Sequence, residues 1–326
     1  MKKFAPAFTV ALLLASVFVG LMVGATQING FWSALINPGS NEILWQIRIP
    51  RVGAAIIVGA ALAIAGLMAQ GACNNALAEP AILGTSAGAS FGAILGILLG
   101  IVQVGSLGAV AFAVIGALLA TALTFKLASL GRALSSFALI IVGIAVSALL
   151  TSLVALLSAM VDRADARSIS FWSFGSLALI TPENLIGISL TTVAGILIAW
   201  KIAPSLDRLS LGDATAFHLG VDVRRIRLLA LISLSLLAGG AVSTVGSIAF
   251  IGLAAPHIAR FIYGPAHKYL IAQTGVIGSF IVVTADSLAR TIAQPNELSI
   301  GLLTSLVGAP VLIALVTVKN NIWKMQ

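Results

Sequence analysis

Gly84-Thr85-Ser86-Ala87-Gly88 spells G-x-S-x-G, the spacing that in acyl-transfer enzymes lifts a serine hydroxyl out of a strained strand-to-helix turn. That chemistry needs an α/β sheet and following acid and histidine partners. Here the five residues instead open a stripe of glycines at 84, 88, 92, 96 and 100. A stripe at every fourth residue lets a neighbouring helix backbone come close, so Gly84, Gly88 and Gly92 are read as packing residues and hydrolase chemistry is excluded. The three histidines, 218, 257 and 267, are scattered, and Cys73 is the one cysteine, so neither a metal-ligand spacing nor an internal disulfide is written in the chain. No glycine is followed by lysine, which rules out a P-loop; energy from ATP has to come from a separate subunit. Asp286, with Arg290 one turn later, is the acid placed deepest in an apolar run, and the pairing of the two is the expected arrangement. An ion-coupled secondary transporter would need such an acid and is kept as a remote alternative. No catalytic, cofactor-binding or metal-binding residue is assigned.

The elements that must position these residues follow from composition. Of 326 residues 60% are hydrophobic and 9% charged, and the mean hydropathy is +1.12. Repeated apolar runs of this kind make an all-α polytopic membrane protein, because in hydrocarbon the backbone must satisfy its own hydrogen bonds and no barrel-like alternation is present. Reading runs between breakers gives ten spans, at 4–25, 50–72, 84–103, 106–129, 134–158, 183–202, 226–245, 248–262, 269–292 and 300–319. The first is read as a span, since its apolar run is too long for the core of a cleaved signal. The eighth is short and contains Pro256, so it is expected to be irregular and shielded by protein. Residues 169–180, with Trp172, suit a short helix at the outer interface.

Ten spans with the N-terminus inside sort the charges. Lys2, Lys3, Lys126, Arg132, Lys201, Arg208, Arg224, Arg225, Arg227, Arg260, Lys268, Lys319 and Lys324 fall on the cytoplasmic side, and Arg48, Arg51, Arg163, Arg167 and Arg290 fall outside. That asymmetry follows the positive-inside rule and puts both termini in the cytoplasm. The net charge of +8 is therefore a matter of topology and lipid surface, not of nucleic-acid binding.

Several strings carry a resemblance. FIGLAAPHIARFIYGPAHKYLI (Phe250 to Ile271) contains F-x-G-L-x-x-P-H-x-x-R, and WQIRIPR (Trp45 to Arg51), VGAALAIAGLMAQG (Val58 to Gly71), NNALAEPAILGTSAGA (Asn74 to Ala89) and ADSLARTIAQPNELSIG (Ala285 to Gly301) accompany it in order. Together they resemble the FecCD-type permease subunits of iron-siderophore, haem and cobalamin ABC importers, from about residue 45 to 318. Ala76 and Ser299 stand where that family usually has proline.

The resemblance implies a type II importer permease: a single transmembrane domain over 1–326 that pairs with a second permease subunit, identical or related, around a translocation path. It also implies a cytoplasmic ABC ATPase dimer, an extracytoplasmic substrate-binding protein and no cofactor. The cargo it implies is an iron chelate, with haem, cobalamin or an oxyanion as alternatives on the same scaffold. Residues 207–220 resemble the coupling helices that sit in the ATPase. Leu209, Leu211, Ala214, Phe217 and Leu219 are expected to form an apolar face there, leaving Asp207, Arg208 and Asp213 wet, and Gly212, Asp213 and Gly220 are counted among the coupling residues. Arg48, Arg51 and Arg290 match positions that offer arginines to acidic knobs on the binding protein; snorkelling, or an Arg290–Asp286 pair, are the other readings. Ser135 and Ser136 match the inner gate, and helix N-capping explains them equally. His257 is read as structural, with proton relay or metal ligation as the minor reading. Glu79 is expected to cap the helix that follows it.

Overall fold

The computed structural model of the chain describes residues 5–24, 26, 28–130, 135–160, 169, 172–178, 180–294 and 296–310. The regular elements among them are all helical: α1 (Ala5–Met22), α2 (Phe31–Ile36), α3 (Ile49–Cys73), α4 (Thr85–Leu98), α5 (Leu107–Ala128), α6 (Ser136–Ala159), α7 (Pro182–Leu209), α8 (Asp213–His218), α9 (Val223–Val245), α10 (Ile251–Tyr263), α11 (His267–Ala289) and α12 (Ile300–Pro310). A π-helical turn, Ile43–Arg48, runs directly into α3. Of the charges sorted by side, Lys2, Lys3, Arg132, Arg163, Arg167, Lys319 and Lys324 lie outside the described residues.

Among the described residues seven helices, α1, α3, α5, α6, α7, α9 and α11, are long and apolar enough to cross a membrane. Each of the ten expected runs contains a helix, but not always a span. α4 has 14 residues and α10 has 13, about 20 Å each at the helical rise, against about 30 Å of hydrocarbon. α4 stops short of the expected 103 because Gly100 turns left-handed at φ 68. α7 overshoots its expected end and runs 28 residues to Leu209.

α3 and α9 form the core. α3 packs on α11, α9, α10 and α7, and α9 packs on α7 and α5 as well. Their faces are rich in Ala and Gly, which keeps the axes close, and no hydrophobic effect is required to bring them together in lipid. A Cβ on Gly66 of α3 would lie 2.0 Å from the Gly252 carbonyl oxygen of α10, and one on Gly59 would lie 2.4 Å from that of Gly278 in α11. The glycine stripe of α4 faces α5: a Cβ on Gly88 would meet the Gly116 oxygen at 2.6 Å, and one on Gly92 the Phe112 oxygen at 2.3 Å. Gly84 is instead the left-handed residue before α4, at φ 86. α6 is peripheral and buries only Leu139, Gly143 and Val146.

The eighth run departs from expectation. Residues 251–263 are a regular helix in spite of Pro256. Proline lacks the N–H that would bond the Gly252 carbonyl four residues back, and Gln70 Nε2 of α3 donates to that oxygen at 3.2 Å. Trp172, expected at an interface, packs against the cluster of Ala89, Ala93, Ala113, Ala117 and Val242; residues 170, 171 and 179 of that stretch lie outside the described residues.

Candidate coupling site and the arginine cluster at the opposite end

Two polar clusters stand at opposite ends of α11. At its N-terminus His267 donates its backbone N–H to Asp207 Oδ1 of α7 at 2.9 Å, and its ring Nδ1 sits 2.7 Å from the same oxygen. Asp207 therefore ties the end of α7 to α11 immediately before the chain turns into α8.

α8 itself is a single short helix on the surface. Leu211, Phe217 and Leu219 are exposed large apolar side chains, and Ala214 is exposed beside them. Leu209 departs from the expected docking face: it is fully buried and belongs to the main core, as does Ala216. It marks the last buried turn of α7, so the loop is anchored from below while its outer face stays bare. Gly212 and Gly220 take φ of 97 and 76, left-handed values that let the chain enter and leave the six-residue helix sharply.

Asp213 is not simply wet. Its Oδ1 accepts from Arg227 Nη2 of α9 at 2.9 Å. Arg227 is 1% exposed; it also donates from Nε to the Ala72 carbonyl at the end of α3, 3.0 Å, and from Nη2 to Ser136 Oγ at the start of α6, 3.0 Å. Ser135 caps α6, accepting from the Ala138 N–H at 3.1 Å. The two serines thus divide: one is a cap, the other a partner of a buried arginine.

At the far end of α11 the three outer arginines are buried, at 3%, 6% and 5% exposure for Arg48, Arg51 and Arg290. Arg51 donates from Nε to Asp286 Oδ1 at 2.9 Å and holds Glu297 bidentately through Nη1 and Nη2, both at 2.9 Å. Arg290 Nε lies 3.1 Å from Asp286 Oδ2. Arg290 and Arg48 then reach the end of α1. Arg290 donates to the carbonyls of Gly20 at 3.0 Å and Val23 at 3.1 Å, and Arg48 to those of Leu21 at 2.8 Å, Met22 at 2.7 Å and Thr26. The last carbonyls of a helix have no intrahelical donor and carry the negative end of its dipole. Two arginines from other elements cap them here. These three arginines, expected to face a binding protein, have their forks occupied within the chain.

Comparison with known proteins bears on what such an arrangement serves. The model of the FecCD transport family matches residues 12–318. The chain belongs to the FecCD transport family. Among FecCD relatives, the hemin transport system permease protein HmuU of Yersinia pestis is 34% identical, with 95% of this chain and 94% of the relative covered. The vitamin B12 import system permease protein BtuC of Vibrio cholerae is 32% identical, covering 93% and 91%. The iron(3+)-hydroxamate import system permease protein FhuB of Bacillus subtilis is 33% identical, covering 92% and 79%. A solved metal-chelate type ABC transporter in an inward-facing conformation superposes with a TM-score of 0.83 at 31% identity, over 95% of this chain and 97% of that one. The FecCD chain is thus a multi-pass membrane permease subunit of an ABC importer, with ATP hydrolysis on a separate subunit.

The strings that carry the resemblance meet one another in space. Arg51 of the Trp45–Arg51 string holds Asp286 and Glu297 of the Ala285–Gly301 string. Gln70 accepts from Arg260 and donates to Gly252. Glu79 does not cap α4, the helix that follows it; its Oε1 accepts the Phe250 N–H at 3.1 Å, at the start of α10. Burial pushes the Glu79 carboxyl above the ordinary range, and that N–H pulls the other way. His257 Nδ1 lies 3.0 Å from the Leu253 carbonyl in its own helix. Among the described residues no group of three His, Cys, Asp or Glu side chains is placed to hold a metal. Ser299 Oγ accepts the Leu302 N–H at 3.4 Å at the start of α12.

Residues that sequence reasoning missed are Arg227, Glu297, Gln70 and the Asp207–His267 pair. Each was legible as a polar residue beside an apolar run. Which partner it would find was not.

Proposed function

We propose that this permease carries an iron chelate of the ferric siderophore class across the cytoplasmic membrane. It pairs with a second permease subunit, is driven by a cytoplasmic ABC ATPase dimer seated on α8, and receives cargo from an extracytoplasmic binding protein. The observation that carries the reading is the bare apolar patch of Leu211, Phe217 and Leu219, on and beside a short helix held from beneath by buried Leu209 and by the Asp213–Arg227 pair. Exposed apolar side chains on a well-anchored surface helix are what a partner groove takes up. In this reading both termini lie on the same side as α8, the cytoplasm, and Ser135 and Ser136 stand at the inner gate. The cargo class is supported by relatives named for hemin, vitamin B12 and iron(3+)-hydroxamate, all chelated metal centres; haem or cobalamin is the alternative load on the same path. The binding protein is assigned to the end that carries the Arg51–Asp286–Arg290–Glu297 cluster, where Glu297 is the partly exposed member.

Uptake of radiolabelled iron presented as several ferric siderophores, with haem and cobalamin in parallel, tests this in cells lacking the chain and in cells complemented with it. Dependence of one ferric siderophore on the chain upholds the reading. Dependence of haem or cobalamin alone moves the cargo, and uptake that survives ATP depletion but stops with a protonophore overturns ATP coupling.

A further inference from the structure

We propose that Arg227 is a positioning residue that joins α8 to α6, so that a displacement of α8 by its ATPase is delivered to the N-terminus of α6. The inference rests on the permease reading above and assigns the link a residue. One guanidinium, 1% exposed, holds Asp213 of α8 at 2.9 Å, Ser136 Oγ of α6 at 3.0 Å and the Ala72 carbonyl of α3 at 3.0 Å. The planar fork fixes the directions of these bonds relative to one another, which an ammonium group does not. Bonds from a buried cation are among the stronger ones in a protein and are not exchanged for water at low cost.

The mechanical consequence depends on what resists. α3 lies in the core and buries most of its length. α6 buries Leu139, Gly143 and Val146, all at least three residues beyond Ser136. A pull on Asp213 therefore meets a fixed anchor in α3 and a lightly held one in α6, and the start of α6 is the part that moves. Regions with few buried contacts are the ones that open at low free energy. Ser135, the cap next to Ser136, moves with it.

The test uses the full chain co-purified with its ATPase partner in nanodiscs, carrying Ser135→Cys. The native Cys73 is fully buried and serves as a silent background. Labelling by a hydrophilic maleimide is compared without nucleotide and after trapping with ATP and vanadate, and ATP hydrolysis is recorded on the same samples. The expected result is a change in labelling rate of at least about fivefold on trapping. With Arg227→Lys or Ser136→Ala added, that change shrinks to within about twofold, and Ser136→Thr, which keeps the hydroxyl, restores it. The double variant Arg227→Lys/Ser136→Ala is no worse than either single one, because both break the same link. A purely structural role for Arg227 would lower the yield of complex and leave the nucleotide dependence of the surviving fraction intact; that outcome overturns the inference. If Arg227→Lys fails to fold, the Ser136→Ala and Ser136→Thr pair decides alone. If the unmodified chain retains no ATPase and traps no nucleotide, the permease reading falls and takes this inference with it.

Discussion

Gln70 donates its side-chain amide to the Gly252 carbonyl at 3.2 Å, the acceptor that Pro256 leaves without an intrahelical partner. Proline in a helix interior both removes a donor and crowds the preceding turn. Here a neighbouring helix supplies the donor, and the close approach this needs is made possible by Gly66 against Gly252. Gln70 also accepts from Arg260 on the next turns of α10. One side chain thus satisfies the break and pairs the cation beyond it.

Gln70→Leu leaves both groups without that partner in a buried setting. The expected loss is about 1–3 kcal/mol, read as a lower apparent Tm in detergent. Adding Pro256→Ala returns an N–H to the helix, so the double variant regains part of the loss; an additive loss would refute the account.

Gly66→Ala should fail where Gly53→Ala does not. A Cβ on Gly66 meets backbone at 2.0 Å, whereas one on Gly53 in the same helix meets nothing within 4 Å. Overpacking of this kind costs about 1–3 kcal/mol or more, while Ala in place of Gly in a helix contributes up to about 1 kcal/mol of stabilisation. Membrane abundance and Tm of the two variants separate the cases.

Arg51→Met leaves Asp286 buried without its closest cation, and breaking a buried pair from one side costs about 3–5 kcal/mol. The expected outcome is loss of folded protein from the membrane. Were Arg51 a docking group, folding would be preserved and only the Kd for the binding protein would rise. Pull-down with the binding protein and quantitation of folded chain distinguish the two.

Phe217→Asp together with Leu211→Asp places charge on the exposed apolar patch of α8 and the turn before it, without touching a buried contact. Thermal stability is expected to stay as it was, while co-purification of the ATPase is lost at least about tenfold, a desolvated charge in an apolar groove being strongly unfavourable. A retained complex would show that the ATPase seats elsewhere.

The membrane class, the order of the helices and the absence of a nucleotide-binding loop were all legible in the sequence, because they depend on local composition alone. The family strings were legible too, since short polar insertions in apolar runs stand out. The arginines at 48, 51 and 290 read as surface cations by position in the chain. Folding instead brings the end of α1 and the carboxylates of Asp286 and Glu297 beside them, and a charge beside unsatisfied carbonyls is held inside. Leu209 read as part of an amphipathic face, yet α7 runs far enough to carry it into the core. Glu79 read as a cap for the next helix and instead accepts the N–H of Phe250, 171 residues later, at the start of α10. Arg227 was one of many basic residues near a span end, and nothing local separates it from Arg224 or Arg225. The sequence by itself determined which segments must be helical and must leave water, because hydrophobicity and backbone hydrogen bonding act within a segment. Only the tertiary structure decided which buried polar groups pair, because such bonds join residues far apart in the chain whose distances exist only after the helices have packed.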